Sequence, residues 1–340
     1  MTEVAETVRW GILGTAGIAR SAFLPALAQA GGGSPLMVGS RDAATATAWA
    51  AVNGVAEGIQ GYDRVLEDPR VEAVYIPLPN GLHADWAIAA LEAGKAVVCE
   101  KPLCATPEQT ERLLSVARAR PGPLWEAFVF PFHPQTDRVR ELIAAGTIGE
   151  LREIRSSFHF RLDDEQDVRM LLELAGGSVQ DVGCYPIRLA RLLFDAEPDL
   201  ERTVAGARWA RTGVDEECWG AFAFPDDRRL VLSCGFRAED DTSTTLLGTH
   251  GRIVLTNPFH AEPGDTITVV RDGEAQTEPA PGAEEPSFTA AIRHIQRAIR
   301  GLEAPRHLAV DEAMGNAEAI ATLLRAAGLL RTPGRRSAGG

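Results

Sequence analysis

Residues 98–104 read VCEKPLC, and the lysine here is one of only two in the chain, Lys95 and Lys101, whose other fixed positive charges are arginines. A lysine is a compact ammonium with a pKa that moves on desolvation, whereas an arginine is a permanently charged planar fork. An ammonium straight after the apolar run AVVC suits a site that needs one tunable cation at a strand end, where catalytic groups collect. The plainer reading is a solvated residue beyond a strand, restricted by Pro102. A second stretch, GILGTAGIA (11–19), follows another apolar run and approximates the phosphate-binding fingerprint G-x-G-x-x-G/A. Gly14, Ala16 and Ala19 take its three small-residue places, and Thr15, Gly17 and Ile18 complete the loop. The unpaired amides and positive dipole end of the following helix favour an anion there. Such turns also occur without a ligand, so the motif counts only inside a βαβ unit.

Three further stretches carry candidates, two at strand ends and one at the start of a helix. MVGSRD (37–42) places Ser40 and Arg41 about 20 residues beyond the fingerprint, where an acid would hold the ribose diol of NAD. A hydroxyl and a guanidinium suit a 2′-phosphate instead, which favours NADP. A register shifted by one would make Asp42 the ribose ligand and favour NAD, and Asp42 also suits a helix cap. IPLPNGLHADW (76–86) carries Pro79 and Asn80 in a loop able to cover a nicotinamide. His83 is either a ligand contact or a first-turn helix residue. Glu100 and Lys101 close the set of cofactor-side candidates. QDVGCYP (180–186) puts Asp181 and Tyr185 on one face at the start of a helix, with Pro186 suited to the first turn. Taken alone, that stretch reads equally well as a helix cap.

The elements that must carry these residues alternate over the first 130 positions. VRWGILG, PLMVGS, VEAVYIPLP, AVVCEKP and PLWEAFVF read as strands, and IARSAFLPALAQA, DAATATAWAAVNG, HADWAIAALEAG and TPEQTERLLSVARAR as helices. This predicts a doubly wound parallel sheet, an α/β domain over 1–130. After about residue 150 six strand-like runs, ELREIRSSFHF, VAGARWART, CWGAFAFP, RLVLSCGF, TTLLGTHGRIVLT and DTITVVRDG, are joined by Gly, Pro and Asp turns. They predict an α+β domain over 131–330 with a large open, mostly antiparallel sheet, closed by helices near 286–301 and 310–328. Residues 331–340, RTPGRRSAGG, read as a flexible tail.

Composition narrows the function classes. At 340 residues the chain has room for two cores. A net charge of −13 argues against a nucleic-acid or basic membrane-surface binder. Five dispersed cysteines without a CxxC pair suit reduced thiols and a cytoplasmic protein, not a disulfide framework or a zinc site. No membrane span or signal peptide is apparent. Nothing supports a metal, a flavin or a nucleophilic Ser or Cys. Cys99, Cys104 and Cys184 read as packing residues.

The stretches RWGILGTAGIA, SRD, EAVYIPLPNGLHADWAIAALEAGKAVVCEKPL, EAFVFPFHPQTDRVRELIAAGTIGELREI and GGSVQDVGCYPIRLARLLF resemble the glucose–fructose oxidoreductase/inositol dehydrogenase (Gfo/Idh/MocA) family, from about residue 8 to 330. The branch is similar to NADP-dependent xylose dehydrogenases, dihydrodiol dehydrogenases and nucleotide-sugar 3-ketoreductases. The resemblance implies a Rossmann domain, a second domain whose sheet mediates homodimers or homotetramers, and often a cis peptide at Lys101–Pro102. It places the active-site lysine on Lys101 and an Asp-x-x-x-His pair on Asp181 and Tyr185, with tyrosine in the histidine position as the proton-exchanging group. Pro131 departs from the polar residue common at its position, so specificity does not transfer directly.

The implied chemistry is hydride transfer between NADP (NAD as the alternative) and a carbinol or carbonyl carbon of a carbohydrate or cyclic polyol. Tyr185 would exchange the proton, Lys101 would bind the same oxygen and lower the tyrosine pKa, and Asp181 would orient substrate or lysine. Two other functions compete: a cofactor-binding sensor without catalysis, and NAD-dependent glycoside hydrolysis.

Overall fold

The computed structural model describes residues 7–120 and 122–328; the tail expected at 331–340 lies outside them. The first sheet is built from β1 (Val8–Leu13), β2 (Gly33–Ser40), β3 (Glu57–Gln60), β4 (Ala73–Ile76), β5 (Ala96–Cys99) and β6 (Leu124–Glu126). Between them run α1 (Leu24–Ala30), α2 (Ala43–Asn53), α3 (Asp63–Glu67), α4 (His83–Glu92) and α5 (Pro107–Ala119). The strand order is β3-β2-β1-β4-β5-β6 and all pairs are parallel. β4 and β5 are buried at every position, as strands covered on both faces must be. β3 and α3 were not expected, because EGIQ and DRVLE are too short to show a period. The order reverses between β1 and β4, which opens a crevice at their carboxyl ends.

The second sheet comprises β7 (Leu151–His159), β8 (Asp199–Trp209), β9 (Asp215–Phe224), β10 (Arg228–Gly235), β11 (Thr244–Gly248), β12 (Gly251–Leu255), β13 (Thr266–Arg271) and β14 (Glu274–Pro279). Its order is β14-β13-β12-β11-β7-β10-β9-β8, antiparallel except for the β7–β10 pair. The single run TTLLGTHGRIVLT is a hairpin of β11 and β12, turned at Thr249-His250. β14 was missed because EAQTEP is a polar edge strand.

α6 (Pro134–Ala144), also unexpected, precedes β7, and α7 (Cys184–Phe194) packs on β7 and β10. Ile154, Phe222, Leu230 and Leu246 from the sheet meet Ile187, Ala190 and Phe194 of α7 in one core. Alternation sends the other side chains outward, and Val204, Trp219 and Val231 are 58, 60 and 40% exposed on that face.

The last helices, α8 (Thr289–Ile299) and α9 (Ala309–Ala326), cross back over the boundary expected at 130. α8 lies on α1, and Phe288, Ile292 and Ile295 join the core of Trp10, Phe23 and Tyr75. α9 lies between α5 and β8, with Ala309 and Ala313 joining Leu113 and Leu114. The two sheets are therefore clasped by a shared helical layer, which fixes the first sheet's crevice against the second domain. Among the described residues, no helix is long and apolar enough to cross a membrane, and no cluster of His, Cys, Asp or Glu is suited to hold a metal ion.

Candidate active site

A cavity of about 760 Å³ occupies the crevice. Its walls bring together residues more than 240 positions apart. Gly14, Thr15, Ala16, Gly17 and Ile18 line it from the β1 end, Arg41 from the β2 end, Pro79 and Asn80 from the β4 end, and Glu100 and Lys101 from the β5 end. Asp181, Tyr185, Phe158, Phe160, Arg169 and His260 line it from the second domain.

The β1 loop is shaped for close approach. Gly14 has φ +106°, and a Cβ there would meet Leu78 at 3.0 Å; beside Gly17 there is open space. The loop feeds a π-helical turn at Ala19–Phe23 that leads into α1. Asp42 does not line the cavity. Its carboxylate caps α2 by accepting from Thr45 N and Oγ1, both at 2.7 Å. Ser40 is buried and does not line the cavity; its Oγ accepts from Asp42 N at 3.4 Å. Arg41 is thus the residue of this turn that reaches the cavity.

His83 also lies outside the cavity lining. It is fully buried, with Nδ1 2.8 Å from Pro102 O and Nε2 2.7 Å from Leu78 O. Burial holds its pKa down to about 4, so at neutral pH the ring carries a single N–H, which donates to one of the two carbonyls. Its place is a strut between the β4 loop and the Lys101–Pro102 link, whose peptide bond is cis. Glu100 accepts from Tyr75 Oη at 2.6 Å, and burial raises its pKa.

Lys101 is the centre of the arrangement. Its Nζ donates to Asp181 O at 2.7 Å and to Asp181 Oδ1 at 2.8 Å, and it lies 5.3 Å from the Tyr185 ring centroid. Arg169 Nε donates to the other oxygen, Asp181 Oδ2, at 2.8 Å. Desolvation works against both charges of the ion pair. The attraction outweighs it, so Lys101 is raised and Asp181 lowered from their ordinary pKa values. An ammonium has three protons, and Asp181 accepts two. The third is left for a ligand.

Asp181 sits in a π-helical turn, Val179–Gly183, directly before α7. π turns mark functional positions in many helices. Asp215 Oδ2 anchors this one by accepting from Val179 N at 2.7 Å and Ser178 Oγ at 2.8 Å. Gly177, at φ +117°, lets Asp215 in, since a Cβ would lie 2.2 Å from its Oδ1. Four residues after Asp181, Tyr185 is packed among Phe128, Phe158 and Phe259. Its pKa is raised, first by burial, with Lys101 pulling the other way. The expectation that Lys101 brings it toward neutrality is therefore not met: desolvation of the phenolate is the larger effect. Pro131 lies in the buried turn Phe130–Phe132, away from the cavity lining.

Phe158, Phe160, Arg169 and His260 escaped sequence reasoning. Phe158 and Phe160 belong to a run read only as a strand. Arg169 lies in the short 3₁₀ turn Val168–Met170 and His260 in irregular chain, neither with a period or motif.

The ion pair carries a pH signature. Asp181→Asn leaves Lys101 buried without its counter-charge and should cost about 3–5 kcal/mol. The depressed pKa of Asp181 makes its contribution complete above the ordinary aspartate value of 3.8 and lost as pH falls through the folded-state value. Chemical denaturation of both proteins should give a constant gap from pH 8 to 5 that narrows only below about pH 4. A gap that narrows between pH 7 and 5 would show that Asp181 is not held ionised.

Comparison with known proteins agrees with this geometry. Residues 8–128 match the Gfo/Idh/MocA oxidoreductase family model, NAD-binding Rossmann fold, and residues 136–254 match the GFO/IDH/MocA C-terminal domain. The chain is 34% identical over 331 residues to a dTDP-3,4-didehydro-2,6-dideoxy-α-D-glucose 3-reductase of Streptomyces violaceoruber, covering 96% of this chain and 94% of that one. It is 35% identical over 300 residues to D-xylose 1-dehydrogenase (NADP(+)) 2 of Haloferax volcanii, covering 87% and 90%. A 3-ketoreductase from Actinomadura kijaniata, solved with NADP and TDP-benzene, superposes with a TM-score of 0.87 at 30% identity, covering 94% of this chain and 98% of that one. With a nucleotide-binding crevice, a paired lysine and a buried tyrosine in one cavity, the chain belongs to the Gfo/Idh/MocA family of oxidoreductases.

Proposed function

We propose that this protein is an NADP-dependent dehydrogenase or reductase acting on a CH–OH or carbonyl carbon of a sugar, sugar derivative or cyclic polyol. The observation that carries the reading is the meeting of Lys101 and Tyr185 in the cavity that also holds the Gly14–Ile18 loop. The residues fit the cofactor: the loop allows close approach, and the ribose end presents the Arg41 guanidinium while Asp42 is committed to its helix cap. The A. kijaniata ketoreductase binds NADP, which supports the same choice here.

NADP(H), when bound, supplies or takes the hydride. This chain's side chains manage the oxygen and its proton. Asp181 and Arg169 hold Lys101 so that its remaining proton is directed to a substrate oxygen. In reduction Tyr185 gives its proton to the oxygen as negative charge develops there, and Lys101 stabilises the phenolate left behind. In oxidation the proton moves the other way. Phe158 and Phe160 supply apolar walls that limit water. The raised tyrosine pKa suits the donor role, since the phenol stays protonated until a stronger base forms beside it.

We place the protein in the cytoplasm, since all five cysteines are free and buried. We also propose a homodimer or homotetramer formed by the outer face of the second sheet. Val204, Trp219 and Val231 make an apolar patch there on three adjacent strands, flanked by Ala221, which pairs with both valines.

Absorbance of NADPH with aldopentoses, aldohexoses, inositols, trans-diols and 3-keto nucleotide sugars tests the reaction. Net NADPH change with at least one of them is expected. Binding of NADPH without turnover of any would favour a sensor, and glycoside cleavage without net redox change would favour a hydrolase. Arg41→Ala should weaken NADPH roughly 10–100-fold and leave NADH nearly unchanged; equal loss for both would remove Arg41 from 2′-phosphate recognition. Light scattering should give a dimer or larger mass, and Trp219→Glu should shift it toward the monomer. A monomeric wild type at micromolar concentration would contradict the interface.

A further inference from the structure

Tyr185 is only 4% exposed, yet under the reading above it loses a proton in every reduction and must regain it from solvent. Lys101 does not serve as the source, since its pairing with Asp181 holds it protonated. Among the described residues, one polar path leads away from the phenol. His260 Nε2 lies 3.1 Å from Tyr185 Oη, and His260 Nδ1 lies 3.3 Å from Ser287 Oγ. Ser287 is half-buried just before α8, at the edge of the buried layer.

The histidine is held for this contact. Asn257 Oδ1 accepts from His260 N at 3.0 Å and Asn257 Nδ2 donates to His260 O at 2.7 Å, a two-bond clamp on the backbone. Gln135 Nε2 of α6 donates to Asn257 O at 2.9 Å and ties the clamp to the core. The imidazole stands edge-on to the Tyr185 ring, with centroids 5.4 Å apart at 70°.

We propose that His260 and Ser287 form a proton relay that recharges Tyr185. The proposal rests on Tyr185 being the proton donor. When Tyr185 has passed its proton to the substrate oxygen, the phenolate takes the proton on His260 Nε2. His260 Nδ1 takes the hydroxyl proton of Ser287, and Ser287 takes one from water. One proton enters from solvent for each one delivered and only N–H and O–H bonds change; the imidazole, left as the Nδ1–H tautomer, returns to Nε2–H between turnovers by losing the Nδ1 proton through Ser287 to water and gaining one at Nε2 from water in the cavity that it lines. The oxidation direction runs the chain in reverse.

The surroundings of the imidazole favour a conduit over a store. Burial, Lys101 and His133 hold the His260 pKa down to about 4, so the ring is neutral at working pH. Glu100, Asp181 and Cys184 face the tyrosine side, where Glu100 and Asp181 carry the acidic groups. A neutral imidazole donating from Nε2 and accepting at Nδ1 transmits a proton without charging.

The test uses the full-length NADPH-bound enzyme and the sugar turned over fastest in the panel above. His260→Ala should lower kcat roughly 10–100-fold while NADPH affinity is kept, and added imidazole should restore much of the loss. His260→Gln, which keeps a donor to Tyr185 but cannot transmit a proton, should stay impaired and show an altered solvent deuterium isotope effect. Imidazole ¹⁵N shifts should report the Nε2–H tautomer for His260, a readout independent of turnover. Normal kcat in His260→Ala beside an impaired Tyr185→Phe, full activity in His260→Gln, or an Nδ1–H tautomer would overturn the relay and leave the tyrosine reading standing. Normal kcat in Tyr185→Phe would instead remove the tyrosine donor itself, and the relay with it.

Discussion

The Lys101–Asp181 pair is the contact on which the site depends. Lys101 ends a strand of the first sheet, and Asp181 stands on the turn before the main helix of the second domain. Burying one ammonium and one carboxylate costs several kcal/mol each, and the cost is tolerable only when geometry is good and the remaining valences are filled. Here the main-chain oxygen and both carboxylate oxygens of Asp181 are used, by Lys101 and Arg169. A lysine does this work where an arginine would not. A point donor fits between two oxygens of one residue and still presents a proton to a ligand, whereas a planar fork would fill the space. Lys95, the other lysine, is used in the same way, donating to the carbonyls of Asp68 and Val71.

Holding that pair requires the two domains to be fixed at their seam. Asn80 Nδ2 donates to Ala175 O at 2.9 Å, and Gln180 Nε2 donates to Ala105 O at 2.9 Å, so loops of each domain are tied to the other on both sides of Lys101. Asp215 supports the turn from beneath at a cost: burial pushes its pKa to about 6, which means its ionised form is disfavoured in the folded state. α8 and α9 supply the apolar part of the seam. The charged centre is thus bounded by short polar ties and backed by packed helices, which leaves the cavity as the open side.

Much of this was legible in the sequence, for identifiable reasons. The fully buried strands β4 and β5 announce themselves as apolar runs, and Gly14, Lys101, Asp181 and Tyr185 sit at strand or helix ends where the pattern changes. Residues whose role depends on a partner elsewhere were not legible. His83 has the sequence context of a ligand contact and turns out to be buried between the carbonyls of Leu78 and Pro102. Ser40 does not line the cavity, whereas its neighbour Arg41 does. Asp42 is spent on a helix cap, which its position before Ala43 permits but does not require. Arg169 lies in a one-turn 3₁₀ helix and His260 on irregular chain, and only the fold brings them to Asp181 and Tyr185. The tyrosine pKa differs from expectation because the sequence shows the nearby charge but not the rings of Phe128, Phe158 and Phe259 that pack around the phenol.

The central claim is that Lys101 and Tyr185 act on one substrate oxygen as a unit, and a double-mutant cycle on kcat tests it most directly. Lys101→Ala and Tyr185→Phe should each lower kcat by about 10²–10⁴, with NADPH affinity little changed for Tyr185→Phe. The double variant should be barely slower than the worse single one, because groups acting together are not additive. Losses that multiply in the double variant would contradict the account, since they would mean that the two side chains serve separate steps.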